Sequence, residues 1–482
     1  MGKSHLKSAW CFFLCLLVSD LIAFYLALGG GFFLRKSVFP HFYSNLPVFN
    51  FTFTYFASFW WMPLTFICFI ALEGLYTQKV SFWESLRRLW KAILLASAVI
   101  FALITLGKMG HRISRLVLLF SSILSFFSFP FCRFLTKRLL YTLGFFQEKA
   151  IILGAGQAGQ AVAKGIKRDK CYDYTIIGFL DDFKTGFVQV DGEKYPILGK
   201  LKDLATIAYK EGIKTAVLAM PSLKSAKIKE LFTNVRKHVP EVLVVPELFG
   251  ISLLTSELDY LFYEEIFLLH TKNNLASPLN RAIKRTFDLV LGSVIFILAL
   301  PLMAIIAILI KLTSPGPVIF SQWRIGQNGK PFKIYKFRSM YQDAEERLKE
   351  ILENDHQMKK LYDKIRKIPN DPRVTPIGKF LRRTSLDELP QILNVLKGDM
   401  SLVGPRAALK EEIENYYKEQ AFFCFQVKPG ITGLWQVSGR NKTDFEFRVR
   451  LESWYVQNWC LWLDIIILLQ TIKVVLKMEG AY

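Results

Sequence analysis

Thr384-Ser-Leu-Asp-Glu-Leu-Pro-Gln-Ile-Leu-Asn-Val-Leu-Lys-Gly-Asp-Met-Ser-Leu-Val-Gly-Pro-Arg406 is the stretch around which the chain is organised. Arg382 and Arg383 precede it, Asp387 and Glu388 stand side by side within it, and a Gly-Pro-Arg turn closes it. Cations beside paired carboxylates suit a site that handles phosphate. The arginines hold the anion, one carboxylate attacks it, and the second helps bind a metal. A purely structural reading is also open, because Ser385 and Glu388 have the spacing of a capping box and acidic side chains favour a helix's first turn. Two features oppose it. Pro390 would fall at the fifth helical position, and arginines before a helix N-terminus suit a bound anion better than a bare dipole.

Two more long motifs flank that stretch: Asn370-Asp-Pro-Arg-Val-Thr-Pro-Ile-Gly378 and Lys428-Pro-Gly-Ile-Thr-Gly-Leu-Trp-Gln-Val-Ser-Gly-Arg440. With the three in this order, the chain resembles the bacterial sugar transferases, the monotopic polyprenyl-phosphate phosphoglycosyl transferase family. Its ending, Ser453-Trp-Tyr-Val456 through Asn458-Trp459 to Lys473-Val-Val-Leu476 and Gly480-Ala-Tyr482, is similar to the large members. The resemblance implies transfer of a sugar 1-phosphate from a UDP-sugar to undecaprenyl phosphate with release of UMP. That is the first membrane step of O-antigen, capsule or exopolysaccharide synthesis. The tail favours galactose, with glucose the nearest alternative.

The same resemblance implies Asp387 as the nucleophile, forming a covalent phosphosugar-aspartate, and Mg²⁺ held by Asp387 and Glu388. It makes Lys336, Arg338, Arg382, Arg383, Arg406 and Arg440 the contacts to phosphate and substrate, and it implies a homodimer. Ala407, Glu452 and Cys460 depart from the residues usual in the family, and the first of these adjoins the site.

At 482 residues the chain has room for two to four domains. Its hydrophobic share is 52%, with 42 Phe and 10 Trp, which points to lipid contact. A formal charge of +22 implies an anionic partner. Membrane lipid and phosphorylated substrate fill that role in this reading, with no nucleic-acid partner. Seven scattered cysteines form no Cys-x-x-Cys and no Cys/His cluster, which argues against a zinc site or a disulfide framework.

Four apolar stretches, Ser8–Leu28, Phe51–Leu72, Leu89–Leu106 and Leu116–Phe131, each approach the ~20 residues a helix needs to cross a bilayer. Lys3, Lys7, Lys79, Arg87, Arg88, Lys91, Arg133, Lys137 and Arg138 flank them on the side that should be cytoplasmic, while Lys108 and Arg112 run slightly against that orientation. The chain after Tyr141 is then cytoplasmic at a bacterial inner membrane. Asp20, inside the first stretch, is expected to face the bundle rather than lipid.

From Lys149 the pattern changes. Ala150–Leu153 reads as a buried strand, and Gly154-Ala-Gly-Gln-Ala-Gly159 opens a helix, which is the dinucleotide fingerprint in its strand–turn–helix context. Further strands are expected at Thr175–Leu180, Thr215–Ala219 and Val242–Val245, with Asp181-Asp182 able to accept ribose hydroxyls. Gly154, Gly156 and Gly159 are candidate NAD contacts or serve close packing alone. No tyrosine has a lysine four residues on, as a short-chain redox enzyme would require, so the domain reads as structural or regulatory.

A fifth apolar run continues to Leu312 and is interrupted by Pro301. Arg281, Lys284 and Arg285 stand before it and Lys311 ends it, so it is expected to enter and leave by one face, kinked at Pro301. Beyond it, Val318–Phe320 and Phe332–Phe337 suggest a hairpin through Gly326–Gly329, with Lys336 and Arg338 on one face. Residues 461–476 form an amphipathic-to-apolar run preceded by interfacial aromatics.

The fold class is therefore membrane α plus α/β. A four-helix transmembrane bundle (1–145) precedes a Rossmann-like parallel α/β domain (146–270). A re-entrant-helix α+β catalytic domain (271–482) follows, its membrane helix covering about 283–312. The rival readings are a membrane-anchored NAD-dependent UDP-sugar modifying enzyme and a non-catalytic scaffold.

Overall fold

Apolar runs at the amino terminus fold into α1 (Lys3–Phe33), α2 (Phe53–Ala57), α3 (Trp61–Leu72), α4 (Phe82–Leu106) and α5 (Arg115–Thr142). The computed structural model describes the chain apart from residues 1–2, 44–48, 110–112, 144–147, 170–173, 224, 247–256, 262–265, 271–273, 355–357, 359–367, 369–370, 418–419, 440–443 and 478–482. It divides into two compact units, Met1–Leu248 and Phe249–Tyr482.

Among the described residues four helices are long and apolar enough to cross a membrane: Trp10–His41, Phe82–Leu106, Arg115–Thr142 and Pro278–Thr313. The stretch Phe51–Leu72, expected as one span, is two helices. The Thr52 hydroxyl accepts from the Tyr55 amide at 3.4 Å to start α2, and the chain restarts at Trp61. The 12 residues of α3 rise only about 18 Å, short of a bilayer's hydrocarbon core.

α1 and α5 pack along their length, and Gly30 and Gly31 permit the approach. A Cβ on Gly30 would lie 2.6 Å from Leu124 Cδ1, and one on Gly31 would strike Ser121. Asp20 faces the bundle as expected. Its carboxylate accepts from Arg133 Nε at 2.7 Å and Nη2 at 2.6 Å, and from the Tyr76 hydroxyl.

The Rossmann-like part contains β1 (Glu148–Leu153), α6 (Gln157–Arg168), β2 (Tyr174–Leu180), β3 (Phe187–Val190), β4 (Glu193–Gly199), α7 (Leu204–Glu211), β5 (Thr215–Leu218), α8 (Ser225–His238) and β6 (Glu241–Val244). The sheet order is β3-β4-β2-β1-β5-β6, parallel except for the edge strand β3. Apolar side chains from alternate strand positions fill a cluster on each face, as a sheet covered on both sides requires.

Within this unit the sheet is tied to the membrane helices at Lys79. Its ammonium lies 2.7 Å from Glu148 Oε2 and 2.9 Å from Glu241 Oε2, and the Thr215 and Tyr174 hydroxyls donate to the same carboxylates.

In the second unit a short hairpin, β7 (Glu257–Leu261) with β8 (Ile266–His270), precedes α9 (Pro278–Thr313). The helix α9 is one continuous element with Pro301 inside it, where the missing amide removes one backbone hydrogen bond. The expected hairpin follows as β9 (Ile319–Ile325) and β10 (Pro331–Phe337). Two short parallel strands, β11 (Ser401–Val403) and β12 (Gly430–Thr432), complete the frame, with helices Phe445–Gln457 and Leu461–Lys477 packed behind them.

Candidate active site

A polar knot buried between α9 and the last two helices fixes the loop that closes the site. Lys284 Nζ donates to Asp464 Oδ2 at 2.7 Å and to the Val403 carbonyl at 3.0 Å. The Tyr455 hydroxyl donates to Asp464 Oδ1 and to the same carbonyl, and Trp459 Nε1 donates to Asp464 Oδ2. The Asp288 carboxylate receives the Leu402 amide at 3.1 Å. A buried charge persists only when paired and hydrogen-bonded, and here Lys284, Tyr455 and Asp288 hold Ser401–Val403 and hence the Gly404-Pro405-Arg406 turn. Gly404 and Gly430 are where the two backbones touch. A Cβ on Gly404 would lie 2.6 Å from the Lys428 carbonyl oxygen.

The carboxylate pair sits on a turn between two helices, not in a helix's first turn. Thr375 caps the helix Pro376–Thr384 by accepting the Gly378 amide at 3.0 Å. Ser385 then adopts the left-handed region (φ 57°, ψ 18°) and stops it. A single 3₁₀ turn, Leu386–Glu388, carries both acids, and the next helix starts only at Gln391, after Pro390. The capping box of the structural reading, from Ser385 and Glu388, is therefore not formed. Proline decides the matter, since a helix begun at Ser385 would have needed the amide that Pro390 lacks. Arg285 secures the far end of Gln391–Lys397, donating to the Val395 carbonyl at 2.6 Å and the Leu396 carbonyl at 3.0 Å, a cation at a helix C-terminus.

Lys336, on β10, reaches both acids, at 2.7 Å from Glu388 Oε1 and 3.9 Å from Asp387 Oδ2. Asp387 is buried, with 9% of its surface exposed. That burial pushes its carboxyl above the usual carboxylate range; Lys336 and Arg382 oppose the rise and Glu388 adds to it. Arg382 donates through Nε to Ser339 Oγ at 2.9 Å and lies within electrostatic reach of Asp387, while Arg383 is exposed. Arg406 Nη2 is 4.0 Å from Glu388 Oε1.

Arg338 does not join this group. The strand ends at Phe337, so the alternation that would have put Arg338 beside Lys336 lapses. Its guanidinium turns to the end of α9, donating to the carbonyls of Ser314 (2.8 Å) and Pro315 (2.6 Å). Arg440 lies outside the described residues.

Sequence reasoning missed a further cation on the hairpin, Arg324, and the support behind Arg406. The Arg406 amide donates to Glu452 Oε1 at 3.1 Å, and the same carboxylate holds Arg448 Nε and the Tyr417 hydroxyl. The spacing of Arg448 and Glu452, four apart on one helix, was the available signal.

Asp387 and Glu388 are adjacent hard oxygen donors with a cation beside them. Mg²⁺ commonly takes one or two protein carboxylates plus substrate phosphates, and among the described residues no cluster of three or more potential ligands competes for it. The pair fits that ion.

The glycine loop fits a nucleotide less well. The Ala155 amide already donates to Asp181 Oδ2 at 2.7 Å, and the other oxygen of Asp181 receives the Phe183 and Lys184 amides. A Cβ on Gly154 would lie 2.6 Å from Met220 Cγ, one on Gly159 would strike the Gly154 carbonyl, and only Gly156 opens on free space. The chain's own carboxylate thus occupies an amide that a pyrophosphate would need, while Gly154 serves the turn, Gly159 close packing and Gly156 an open approach, as the fingerprint assigns them.

Residues 279–478 match the family described as bacterial sugar transferase, and residues 71–246 match a CoA-binding domain. The chain is 40% identical over 411 residues to the undecaprenyl-phosphate galactose phosphotransferase of Salmonella typhimurium, covering 84% of each protein. It is 37% identical to the UDP-galactose-lipid carrier transferase of Erwinia amylovora, again over 84% of both. It is 36% identical to the UDP-glucose:undecaprenyl-phosphate glucose-1-phosphate transferase of Escherichia coli over 68% of each.

Proposed function

The chain belongs to the bacterial sugar transferase family, and from that premise we propose that it moves galactose 1-phosphate from UDP-galactose to undecaprenyl phosphate. Asp387 is the covalent nucleophile and UMP the first product. The observation that carries the reading is the geometry of the acid turn: a buried Asp387 with Lys336 against both it and Glu388.

The step follows from that geometry. A carboxylate oxygen of Asp387 bonds to the phosphorus next to the sugar as the bond from that phosphorus to the bridging oxygen breaks. The electron pair leaves on UMP. Undecaprenyl phosphate then attacks the same phosphorus and returns Asp387 to the carboxylate. Two anions meet in each half-reaction, so charge neutralisation is the chief task of the site. Lys336, Arg382 and Arg406 supply it, with Arg383 and Arg440 as further contacts. Mg²⁺ held by Asp387 and Glu388 would add Lewis-acid neutralisation of the diphosphate.

The acceptor arrives from a membrane, and α9 is proposed as the re-entrant helix that brings the site to the cytoplasmic face of the inner membrane. Along a straight helix, rising ~1.5 Å per residue, residues 285 and 314 would lie roughly 43 Å apart. Yet Arg285 binds Val395, the neighbouring Asn394 binds the Tyr335 backbone, and Ser314 binds Arg338 only three positions along from Tyr335. A bend at Pro301 reconciles those attachments. Ile306 and Ile310, beyond the proline, pack against Phe337 and Leu381 of the same domain.

The Rossmann-like domain, its loop amide already engaged by Asp181, is assigned a structural role. The NAD-dependent alternative is correspondingly disfavoured. A homodimer is the expected working unit.

Incubating full-length enzyme with UDP-galactose labelled in the sugar-linked phosphate, without acceptor, should release UMP and leave a phosphogalactosyl adduct on Asp387. An active preparation that never carries label on that residue would sink the covalent scheme. UDP-glucose in parallel decides the sugar.

A further inference from the structure

Arg324 is a cation that the reading so far leaves without a task. It lies on β9 opposite Phe332, next to Ile325, whose amide donates to the Ala408 carbonyl at 3.0 Å. That bond ties the end of β9 to the turn carrying Arg406, which in turn faces Glu388. The Arg324 guanidinium is largely withdrawn from water, with Nη2 donating to Gln322 Oε1 at 2.9 Å. Its charge is within electrostatic reach of Arg406, Arg448, Glu388 and Glu412.

Glu388 is engaged by Lys336, and Glu412 and Glu452 by Arg448, so among the described residues Arg324 has no carboxylate within ion-pair distance, and a cation withdrawn from water without one is unfavourable for a protein alone. Arg448 is 4% exposed, and its Nη2 has no hydrogen-bond partner among the described residues. The position of Arg324 makes sense when a further anion completes it.

We propose that Arg324 is a donor-binding residue that, together with Arg406, receives the phosphate departing with the nucleoside. The inference rests on the covalent phosphotransfer reading above. In that first step the bond between the sugar-linked phosphorus and the bridging oxygen breaks, the electron pair stays with that oxygen, and no proton is needed. The leaving monophosphate gains one negative charge as the Asp387–phosphorus bond forms. A planar guanidinium beside it stabilises the charge where it develops. Arg448 acts at one remove, as a positioning residue. Through Glu452 it fixes the Arg406 amide.

The test compares wild-type, Arg324→Gln and Arg324→Lys full-length enzyme in nanodiscs. UMP and uridine serve as competing ligands, and the Michaelis constants for donor and acceptor are measured separately. For Arg324→Gln, inhibition by UMP should weaken about tenfold or more and the donor KM should rise, with uridine inhibition and the acceptor KM unchanged. Arg324→Lys should fall between the two. If Arg324→Gln does not fold, Arg324→Lys carries the comparison alone. Unchanged UMP inhibition in a folded variant, or an equal loss for UMP and uridine, overturns the assignment. A wild-type enzyme that releases no UMP from donor would instead overturn the reading beneath it.

Discussion

Lys336 Nζ lies 2.7 Å from Glu388 Oε1, and through that contact the β9–β10 hairpin is fastened to the acid turn. The same ammonium is 3.9 Å from Asp387, too far for a hydrogen bond and close enough to favour its ionised form. Lys336 therefore restrains Glu388 directly and tunes Asp387 by field.

Removing that field has a predictable sign. In the proposed step Asp387 attacks as a carboxylate, so the rate should rise with pH through its folded pKa, which burial already holds above the usual range. Lys336 opposes that rise. In Lys336→Gln the acid limb of the kcat/KM profile should move to higher pH, and activity on the plateau should fall roughly 10²–10³-fold. Lys336→Arg should keep the limb near the wild-type position. An unmoved limb in Lys336→Gln would disconnect this lysine from the nucleophile.

Asp387→Asn should lose turnover by roughly 10⁴-fold or more while melting no lower than wild type. A carboxyl with a raised folded pKa contributes stability that is complete below its unfolded pKa and is lost as pH rises through the folded one. The amide carries no such loss. The melting-temperature gap in favour of the variant should therefore be small in acid and open toward neutral pH. Thermal unfolding in detergent at a series of pH values checks it; a variant that melts well below wild type at neutral pH would contradict the sign.

Much of this was legible in the sequence because the signals were local. The strand Ala150–Leu153 is wholly apolar and ends at a glycine turn, and the Val318–Phe337 hairpin turns at Gly326–Gly329. The β3–β4 hairpin, though unread, carried its own mark. Asp191 and Gly192 both have positive φ, the signature of a two-residue turn between alternating strands. What escaped depended on contacts distant in sequence. Lys336 and Arg338 look equivalent until β10 ends between them, and Arg324 acquires meaning only when Ile325 bonds to Ala408, 83 positions later. The split of the second apolar stretch had a cue in Thr52 and Ser58, which hydropathy averaging conceals.

The proposed re-entrant course of α9, bent at Pro301, predicts accessibility. Cysteines introduced singly at Ile283 and Pro315, on either side of the apolar run, should both resist a membrane-impermeant thiol reagent in intact cells and react once the cells are permeabilised. Labelling of position 315 from outside would mean that α9 crosses the bilayer.

The Asp20–Arg133 pair predicts a non-additive double mutant. Both side chains are buried in the bundle and bonded bidentately, with the Tyr76 hydroxyl on the same carboxylate. Asp20→Ala strands a guanidinium among apolar helices, where breaking a buried pair typically costs about 3–5 kcal/mol. Asp20→Ala with Arg133→Met removes the orphan along with its partner. The double variant should therefore recover much of the melting temperature that Asp20→Ala loses in detergent. Because the pair lies in the first unit and the acid turn in the second, surviving Asp20→Ala protein should still release UMP from donor. Additive losses in the double variant would show that the two residues act independently and that each merely packs.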